Sequence, residues 1–336
     1  MQHLQKFLDS LVASGSAGAL LHYRGPDGSW IGTSGVTEVG TAVPVDPAGS
    51  FRIGSVTKTF TATVVLQLVG EGILALDDSV DRWLPGVIPA GDSIKLRQLL
   101  NHTSGLHNYT DDLPDTAGII RDRFVHWDPR ATVDSAAVQP LLFEPGATHS
   151  YSNTNYLVLG LIIEAATGNS FATAIESRIL QPLDLQGTLV PGDVTTLPEP
   201  HARGYLTLDD QLVDISDFNA SQAWSAGEFV STASDLNRFY AALLTGKLLR
   251  PAELEAMQTT VPTDEDFHGS GLGLSRITLP NLTFWGHAGG IFGYRTWSYH
   301  AADAIHQLTL SLTTTTDDTP PPPTYEILAD AFTAGL

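Results

Sequence analysis

Apolar and polar positions at the start of the chain predict a helix followed by a hairpin. Leucines recur every three or four positions from Leu4 onwards, which predicts an N-terminal helix that ends near Gly15. Two strand-like runs follow at residues 17–23 and 29–33, and a turn containing Gly and Pro separates them, as in a β-hairpin. The Gly- and Pro-rich residues 34–50 are expected to connect this hairpin to the next element.

The next apolar pattern begins at Ser55 and is helical. Phe60 and Val64 fall on one helical face, so Ser55 is predicted to open a buried helix. Residues 73–190 carry mostly helical patterns separated by Pro and Gly clusters. Within them the apolar run 156–166 exceeds the usual length of a strand, which predicts a second buried helix.

Strand-like runs return in the last part of the chain. They lie around residues 226–232, 271–277, 282–286, 293–300 and 306–313, and a closing helix is predicted through Tyr325, Ile327, Leu328 and Phe332. Early and late strands are expected to share one antiparallel sheet flanked by helices, which is an α/β (α+β) fold. The sheet domain would comprise residues 1–72 and 191–336, and the mostly helical domain residues 73–190, with the active site between them.

Composition narrows the classes of partner. The formal net charge is −20 and the pI is near 4.7, so the basic surface that binds nucleic acid is absent and an anionic membrane would repel the protein. No segment is long and apolar enough to span a bilayer, and without cysteine there is no disulfide or thiolate site. The N-terminus lacks a signal-peptide pattern, which predicts either a cytoplasmic protein or a secreted, extracytoplasmic one whose leader was removed. A monomer is the default expectation.

Candidate chemistry begins with Ser55 and Lys58. A helix places residues three apart on one face, so the Ser55 hydroxyl would lie beside the Lys58 amine as a nucleophile next to a base. The unpaired backbone N–H groups at a helix start also favour developing negative charge. Because a Ser-x-x-Lys match also arises by chance, this motif alone is weak.

Two further stretches each allow a structural and a functional interpretation. Tyr151 and Asn153 would present a phenol and an amide from one tight loop before a helix, although Ser and Asn are also ordinary turn residues. His287-Ala288-Gly289 could let a strand edge lie against a substrate backbone, or could be a plain strand-to-turn device with a structural histidine.

Together the three stretches resemble the serine β-lactamase-like family in order and rough spacing. The likeness is to the branch with class C β-lactamases and the Streptomyces-type D-alanyl-D-alanine carboxypeptidases. Residues 51–55, 99–106, 149–155, 225–227 and 271–274 also look like that branch, so the resemblance covers nearly the whole chain.

The resemblance implies a role for each catalytic group. Ser55 would attack a carbonyl and form an acyl-enzyme, and Asn153 would orient Lys58 and hold the substrate amide. Lys58 and Tyr151 would tune each other and share a proton, so neither is named as the sole base. His287 stands where many relatives carry a lysine.

The same resemblance implies how the substrate is held. The backbone N–H groups of Ser55 and Gly290 would form the oxyanion hole. The residues expected to bind substrate are Trp224, Arg276, Ala288 and Gly289. No cofactor and no metal are expected, since the histidines show no His-Glu-x-x-His pattern.

Three departures from the family pattern concern the substrate. Carboxypeptidases of this type place hydroxyl residues where this chain has Ala288 and Gly290, and an arginine where it has Ser275. Arg276 is adjacent, but a shift by one residue along a strand reverses the side-chain facing.

The first expectation is therefore a penicillin-binding D-alanyl-D-alanine carboxypeptidase. The alternatives are an esterase, a D-amino acid amidase or aminopeptidase, or a class C-like β-lactamase, and after these a non-catalytic penicillin-binding protein. The substrate would be a small peptide, amide, ester or β-lactam.

Overall fold

A computed structural model describes residues 2–26, 28–263, 268–315 and 324–332. The strands are β1 (Ser16–Gly25), β2 (Gly28–Gly35), β3 (Phe51–Arg52), β4 (Tyr205–Leu208), β5 (Gln211–Asp214), β6 (Val230–Ser231), β7 (Val261–Pro262), β8 (His268–Ser270), β9 (Ser275–Leu279), β10 (Leu282–Ile291), β11 (Tyr294–Ala301) and β12 (Gln307–Thr314).

Helices occupy most of the remaining described chain. They are α1 (Gln2–Ala13), α2 (Thr57–Gly70), α3 (Val80–Trp83), α4 (Leu96–Leu100), α5 (Thr116–Asp122), α6 (Pro129–Ala136), α7 (Thr154–Thr167), α8 (Phe171–Ile175), α9 (Gln181–Leu183), α10 (Trp224–Gly227), α11 (Ala233–Leu244), α12 (Pro251–Gln258) and α13 (Thr324–Phe332). Short 3₁₀ turns lie at Gly54–Val56, Tyr109–Asp112 and Ala220–Gln222, and Glu176–Leu180 is a π-helical turn.

One eight-stranded sheet joins the two ends of the chain. Its order is β2-β1-β12-β11-β10-β9-β8-β7, and each of these pairings is antiparallel. The early hairpin thus pairs with the last strand, as the sequence predicts. The stretch 73–190 contributes α3 to α9 and no strand of this sheet.

Two apolar clusters cover the two faces of the sheet. Leu20 and Trp285 belong to the cluster that includes α2, α7 and α11, whereas Leu21 and Phe284 belong to the cluster that includes α1 and α13. Alternate side chains of a strand point to opposite faces, so strands such as β1 and β10 contribute to both clusters. The result is a sheet between two helical layers.

The two helices predicted to be buried are enclosed over most of their length, and only their last turns are partly exposed. Within α2, Phe60 and Val64 are fully enclosed, and within α7 so are Leu159 and Ile162. No single helix in the described ranges is long and apolar enough to cross a membrane. Helix α7 and the helical segment Phe171–Leu183 would be long and apolar enough only if taken together, and the two are bent by 78°.

Local structure differs from prediction around the short elements. The run 226–232 is mostly not a strand, because helix α10 ends at Gly227 and only Val230–Ser231 pairs. The run 271–277 becomes a strand only at Ser275, since Gly273 has a φ of +75° and turns the chain before it.

The hairpin β4–β5 and the short strands β7 and β8 were not predicted. The turn of that hairpin uses Asp209 and Asp210 at φ of 50° and 59°, a left-handed pair that usually contains glycine. Strands of two or three residues are too short to show the alternation of apolar and polar residues that predicts a strand.

Candidate active site

A close backbone contact positions Ser55. The chain leaves β3 and turns at Gly54, which has a φ of +52°, into the 3₁₀ turn that precedes α2. A Cβ added to Gly54 would lie 2.8 Å from the backbone nitrogen of Gly290, and one added to Gly289 would lie 2.0 Å from the Ile53 carbonyl oxygen. Glycine on both segments therefore lets strand β10 dock directly against the nucleophile turn.

Lys58 is fully buried beneath Ser55. Its Nζ lies 2.9 Å from Ser55 Oγ, 2.7 Å from Asn153 Oδ1 and 2.7 Å from the carbonyl oxygen of Ala226. Burial without a carboxylate partner lowers the pKa of the Lys58 amine well below its usual range. A neutral amine would donate its two hydrogens to the two carbonyl oxygens and turn its lone pair towards the Ser55 hydroxyl.

Tyr151 lies on the other side of the nucleophile. Its ring centre is 5.0 Å from Lys58 Nζ, and its phenol interacts with Ser55. As a whole the residue is 40% exposed, but its hydroxyl end is surrounded by protein. This burial raises the phenol pKa above its usual value, and the interaction with Ser55 partly opposes the rise. Burial thus disfavours the charged form of both groups, and of the two uncharged groups the Lys58 amine is the better proton acceptor.

Asn153 orients Lys58 but does not present its amide hydrogens to the cleft. Its Oδ1 accepts from Lys58, while its Nδ2 donates to Asn108 Oδ1 at 3.1 Å and Thr110 Oγ1 at 3.3 Å. Both donors are already used within the protein. The expected contact between Asn153 and the substrate amide is therefore not prepared in this arrangement.

His287 is a neutral acceptor rather than a cation. It is 8% exposed, and burial together with the nearby Lys58 lowers its pKa to about 4. Its Nδ1 contacts the Ala288 carbonyl oxygen, which can only accept, so the ring proton is on Nδ1 and Nε2 carries a lone pair.

The active-site edge of β10 is unpaired on one side. Strand β9 pairs with β10 only as far as Gly286, opposite Ser275, whereas β11 pairs with β10 through Ile291. Within the described residues, the stretch 287–291 therefore has one edge without a strand partner. Such an edge can hydrogen-bond an extended substrate backbone.

A cleft of about 500 Å³ opens above these groups. It is lined by Ser55, Leu100, His102, His149, Ser150, Tyr151, Thr263, Gly269, Ser270, Gly271, Gly273, Leu274, Ser275, His287, Ala288 and Tyr299. The nucleophile, Tyr151 and His287 are thus brought together, with hydroxyl residues on the walls. No lysine or arginine belongs to this lining, as far as the described chain shows.

The predicted substrate-binding residues divide into two pairs. Ala288 lines the cleft, and Gly289 packs on the nucleophile turn. Trp224 instead packs against Phe171, with ring centres 5.2 Å apart, and is not part of the lining.

Arg276 does not replace the missing arginine either. Ser275 lines the cleft, whereas Arg276, the next residue on β9, is not among the lining residues.

Sequence reasoning missed His102. It sits on the cleft wall at a φ of 59°, its ring is centred 4.2 Å from that of Tyr151, and its Nδ1 accepts from the Ser152 backbone N–H and lies 3.2 Å from Asn155 Nδ2. Burial and the nearby Lys58 lower its pKa well below the usual value. His102 lies in the stretch 99–106 that resembles the family, but the spacing of that stretch does not predict a contact with Tyr151.

Comparison with known proteins gives consistent results. A family model described as Beta-lactamase matches residues 4–334. A penicillin-binding protein of Bacillus subtilis (strain 168) is 31% identical over 332 residues, covering 92% of this chain and 70% of that protein.

Two solved structures share the fold over nearly their whole length. A D-stereospecific amidohydrolase from Streptomyces sp. is 37% identical with a TM-score of 0.91, covering 100% of this chain and 99% of that one. The D-amino acid amidase from Ochrobactrum anthropi SV3, complexed with D-phenylalanine, is 29% identical with a TM-score of 0.86, covering 98% and 96%. These likenesses confirm the predicted fold class.

Proposed function

The chain belongs to the β-lactamase family of serine hydrolases, and we propose that it cleaves amide bonds of D-amino acid derivatives through an acyl-enzyme on Ser55. The observation that carries this proposal is the uncharged cleft. Its described lining contains no lysine or arginine, and His287 is neutral at pH 7 because its pKa lies at about 4.

Acylation would use the buried amine. Ser55 Oγ forms a bond to the substrate carbonyl carbon while its proton passes to the lone pair of Lys58, 2.9 Å away. The carbonyl π electrons become an oxyanion, for which the backbone N–H groups of Ser55 and Gly290 are the candidate donors. As the C–N bond breaks, the leaving nitrogen takes up the proton from Lys58, and the Tyr151 phenol is placed to pass it on.

Deacylation would repeat these steps with water. The water oxygen attacks the ester carbon, its proton moves to Lys58, and the second oxyanion collapses with release of Ser55 Oγ, which recovers a proton. The products are the free acid and the amine, and every group returns to its starting protonation state.

The cleft walls favour a neutral leaving group. A buried carboxylate without a cationic or multiple hydrogen-bonding partner costs several kcal/mol. At the positions where a carboxypeptidase would hold that carboxylate, this chain has Ala288, Gly290 and Ser275. An amide or ester has no such charge to neutralise. The names of the two structural neighbours, a D-stereospecific amidohydrolase and a D-amino acid amidase, support the same choice.

Matched leaving groups test the proposal. One acyl-D-alanyl donor would carry D-alanine, D-alaninamide or an ester, and kcat/KM would be compared, with the L-alanyl donor as the control for stereospecificity. We expect the free acid to be favoured by no more than about tenfold, or roughly 1.4 kcal/mol. A preference of about a thousandfold, roughly 4 kcal/mol, would overturn the proposal in favour of the carboxypeptidase expected first from the sequence.

A further inference from the structure

The segment 107–112 holds the loop that carries Tyr151 and Asn153. The carbonyl oxygen of His107 accepts from Ser152 Oγ at 3.1 Å and from Thr154 Oγ1 at 2.7 Å. The backbone N–H of Asn153 donates to Asn108 Oδ1 at 2.9 Å. No residue of this segment belonged to the predicted site.

The orientation of the Asn108 amide follows from its outer neighbour. Asn108 Nδ2 lies 2.9 Å from Asp111 Oδ1 and 2.6 Å from Thr110 Oγ1. A carboxylate can only accept hydrogen bonds, so Asn108 must turn its NH₂ group towards Asp111. Its carbonyl oxygen then faces Asn153.

That oxygen in turn fixes the Asn153 amide. Asn108 Oδ1 accepts from both the backbone nitrogen and Nδ2 of Asn153, at 2.9 and 3.1 Å. The Asn153 carbonyl oxygen is therefore left for Lys58 Nζ, 2.7 Å away. From Lys58 to Asp111 every hydrogen bond points outwards.

We propose that Asn108 is a positioning residue for the serine–lysine pair. This positioning role rests on the proposed function, in which the neutral Lys58 amine is the base. With the Asn153 oxygen turned inwards, the amine donates to Asn153 and Ala226 and keeps its lone pair for Ser55. A reversed Asn153 amide would donate to that lone pair and remove it from the reaction.

Two variants of Asn108 separate positioning from mere structure. Asn108→Leu removes the acceptor, so we expect kcat to fall by about 10²-fold, the scale of a small misplacement, with KM little changed. Loss of the inward-facing carbonyl also disfavours the ammonium form of Lys58, so the acid limb of the kcat/KM profile should move to lower pH.

Asn108→Asp combined with Asp111→Asn keeps an acceptor for both Asn153 donors, and the amide introduced at position 111 supplies the donor between the two side chains, which lie 2.9 Å apart. The kcat of this variant above the acid limb should stay within about threefold of the unaltered protein. The negative charge, moved inwards from position 111 to position 108, favours protonated Lys58, so the acid limb of this variant should move to higher pH. Opposite movements of the limb are not expected from a simple loss of stability. The matched control is Asn169→Leu, an exposed asparagine that bonds only within its own turn.

The assay uses an acyl-D-alanyl p-nitroanilide and, separately, labelling of Ser55 by a phosphonate followed by intact mass. If the unaltered protein neither reacts nor labels, the proposed function fails. If it does both, and the two Asn108 variants keep its kcat and its pH profile, the inference about Asn108 is overturned and the function stands. Should Asn108→Leu fail to fold, a protein carrying Asn108→Asp and Asp111→Asn with an unmoved acid limb overturns the inference alone.

Discussion

The two sides of the cleft are built differently. On the α2 side, Lys58 Nζ has three oxygen neighbours within 2.9 Å, and each partner comes from a different part of the chain. On the sheet side, Ala288 offers a methyl group and Ser275 a single hydroxyl, and the described lining holds no arginine or lysine. The first side specifies a reaction, and the second specifies little beyond shape and neutrality.

Burial explains the difference. A polar atom enclosed by protein must find a partner, so the groups around Lys58 are fixed in one arrangement. A polar atom on an open wall keeps its hydrogen bonds to water and tolerates replacement. Reaction class is thus encoded on the α2 side, and the choice of leaving group on the sheet side.

The largest expected effect tests the α2 side. Ser55→Ala should abolish covalent labelling by a β-lactam or phosphonate, because Ser55 Oγ is the hydroxyl that Lys58 contacts. Folding should survive, since the residue is only half-buried and loses one oxygen. Intact-protein mass spectrometry reads the adduct, and Ser270→Ala on the opposite wall is the control. An adduct on Ser55→Ala would move the nucleophile elsewhere.

The next effect asks whether that side works as one unit. Lys58→Ala and Tyr151→Phe should each slow acylation by about 10²–10⁴. Because both groups act on the same Ser55 proton, the double variant should be little worse than the worse single one. Single-turnover rates measure this. Losses that multiply would mean that Lys58 and Tyr151 act independently.

Sequence alone predicted the α2 side well and the sheet side poorly. Helical spacing dictates that Ser55 and Lys58 share a face, so their contact followed from the pattern. The facing of Ser275 and Arg276 depends on where β9 begins, and Gly273 sets that point. The periodicity of apolar residues does not reveal where this strand begins.

The contacts of larger groups were also beyond the sequence. Trp224 was expected to bind substrate, but it begins helix α10 and packs on Phe171. His102 lies beside Tyr151 only because two distant loops meet. Such placements depend on tertiary packing, which a motif does not describe.

The third prediction concerns His287, the neutral histidine on the sheet side, and its effect on the free energy of unfolding. Folding lowers the pKa of His287 from 6.5 to about 4, so below pH 6.5 the unfolded chain binds a proton that the folded one refuses. The free energy of unfolding should therefore fall as the pH drops from 6.5 to about 4, by about 3 kcal/mol from this residue.

Denaturant unfolding of His287→Gln checks it. Between pH 6.5 and about 4, the free energy of unfolding of the variant should fall by about 3 kcal/mol less than that of the unaltered protein. The pKa of His102 is also lowered by folding, but its contribution is present in both proteins and cancels in the comparison. His3→Gln, an exposed histidine, is the matched control. An unchanged slope would mean that His287 is charged in the folded protein, and the contrast between the two sides would weaken.

The smallest expected effect comes from adding a carboxylate-binding group to the sheet side of the cleft. Ser275 lines the cleft at the position where carboxypeptidases of this family are expected to carry arginine, and its strand pairs with β10 there. Ser275→Arg would place a guanidinium against the leaving group, where it can bind a carboxylate through two hydrogen bonds. Solvent reaches this wall, so the gain should be modest, a rise of about tenfold or roughly 1.4 kcal/mol in the preference for D-alanine over D-alaninamide.

The control for that change is Thr278→Arg, which adds the same charge at an exposed position of β9 outside the lining. Its ratio of kcat/KM values should not move, because long-range charge effects are screened by salt. An equal rise in both variants would show that net charge, and not the local contact, sets the preference. A rise confined to Ser275→Arg would mean that one residue on the sheet side chooses the leaving group, while the buried amine on the α2 side performs the same chemistry on each.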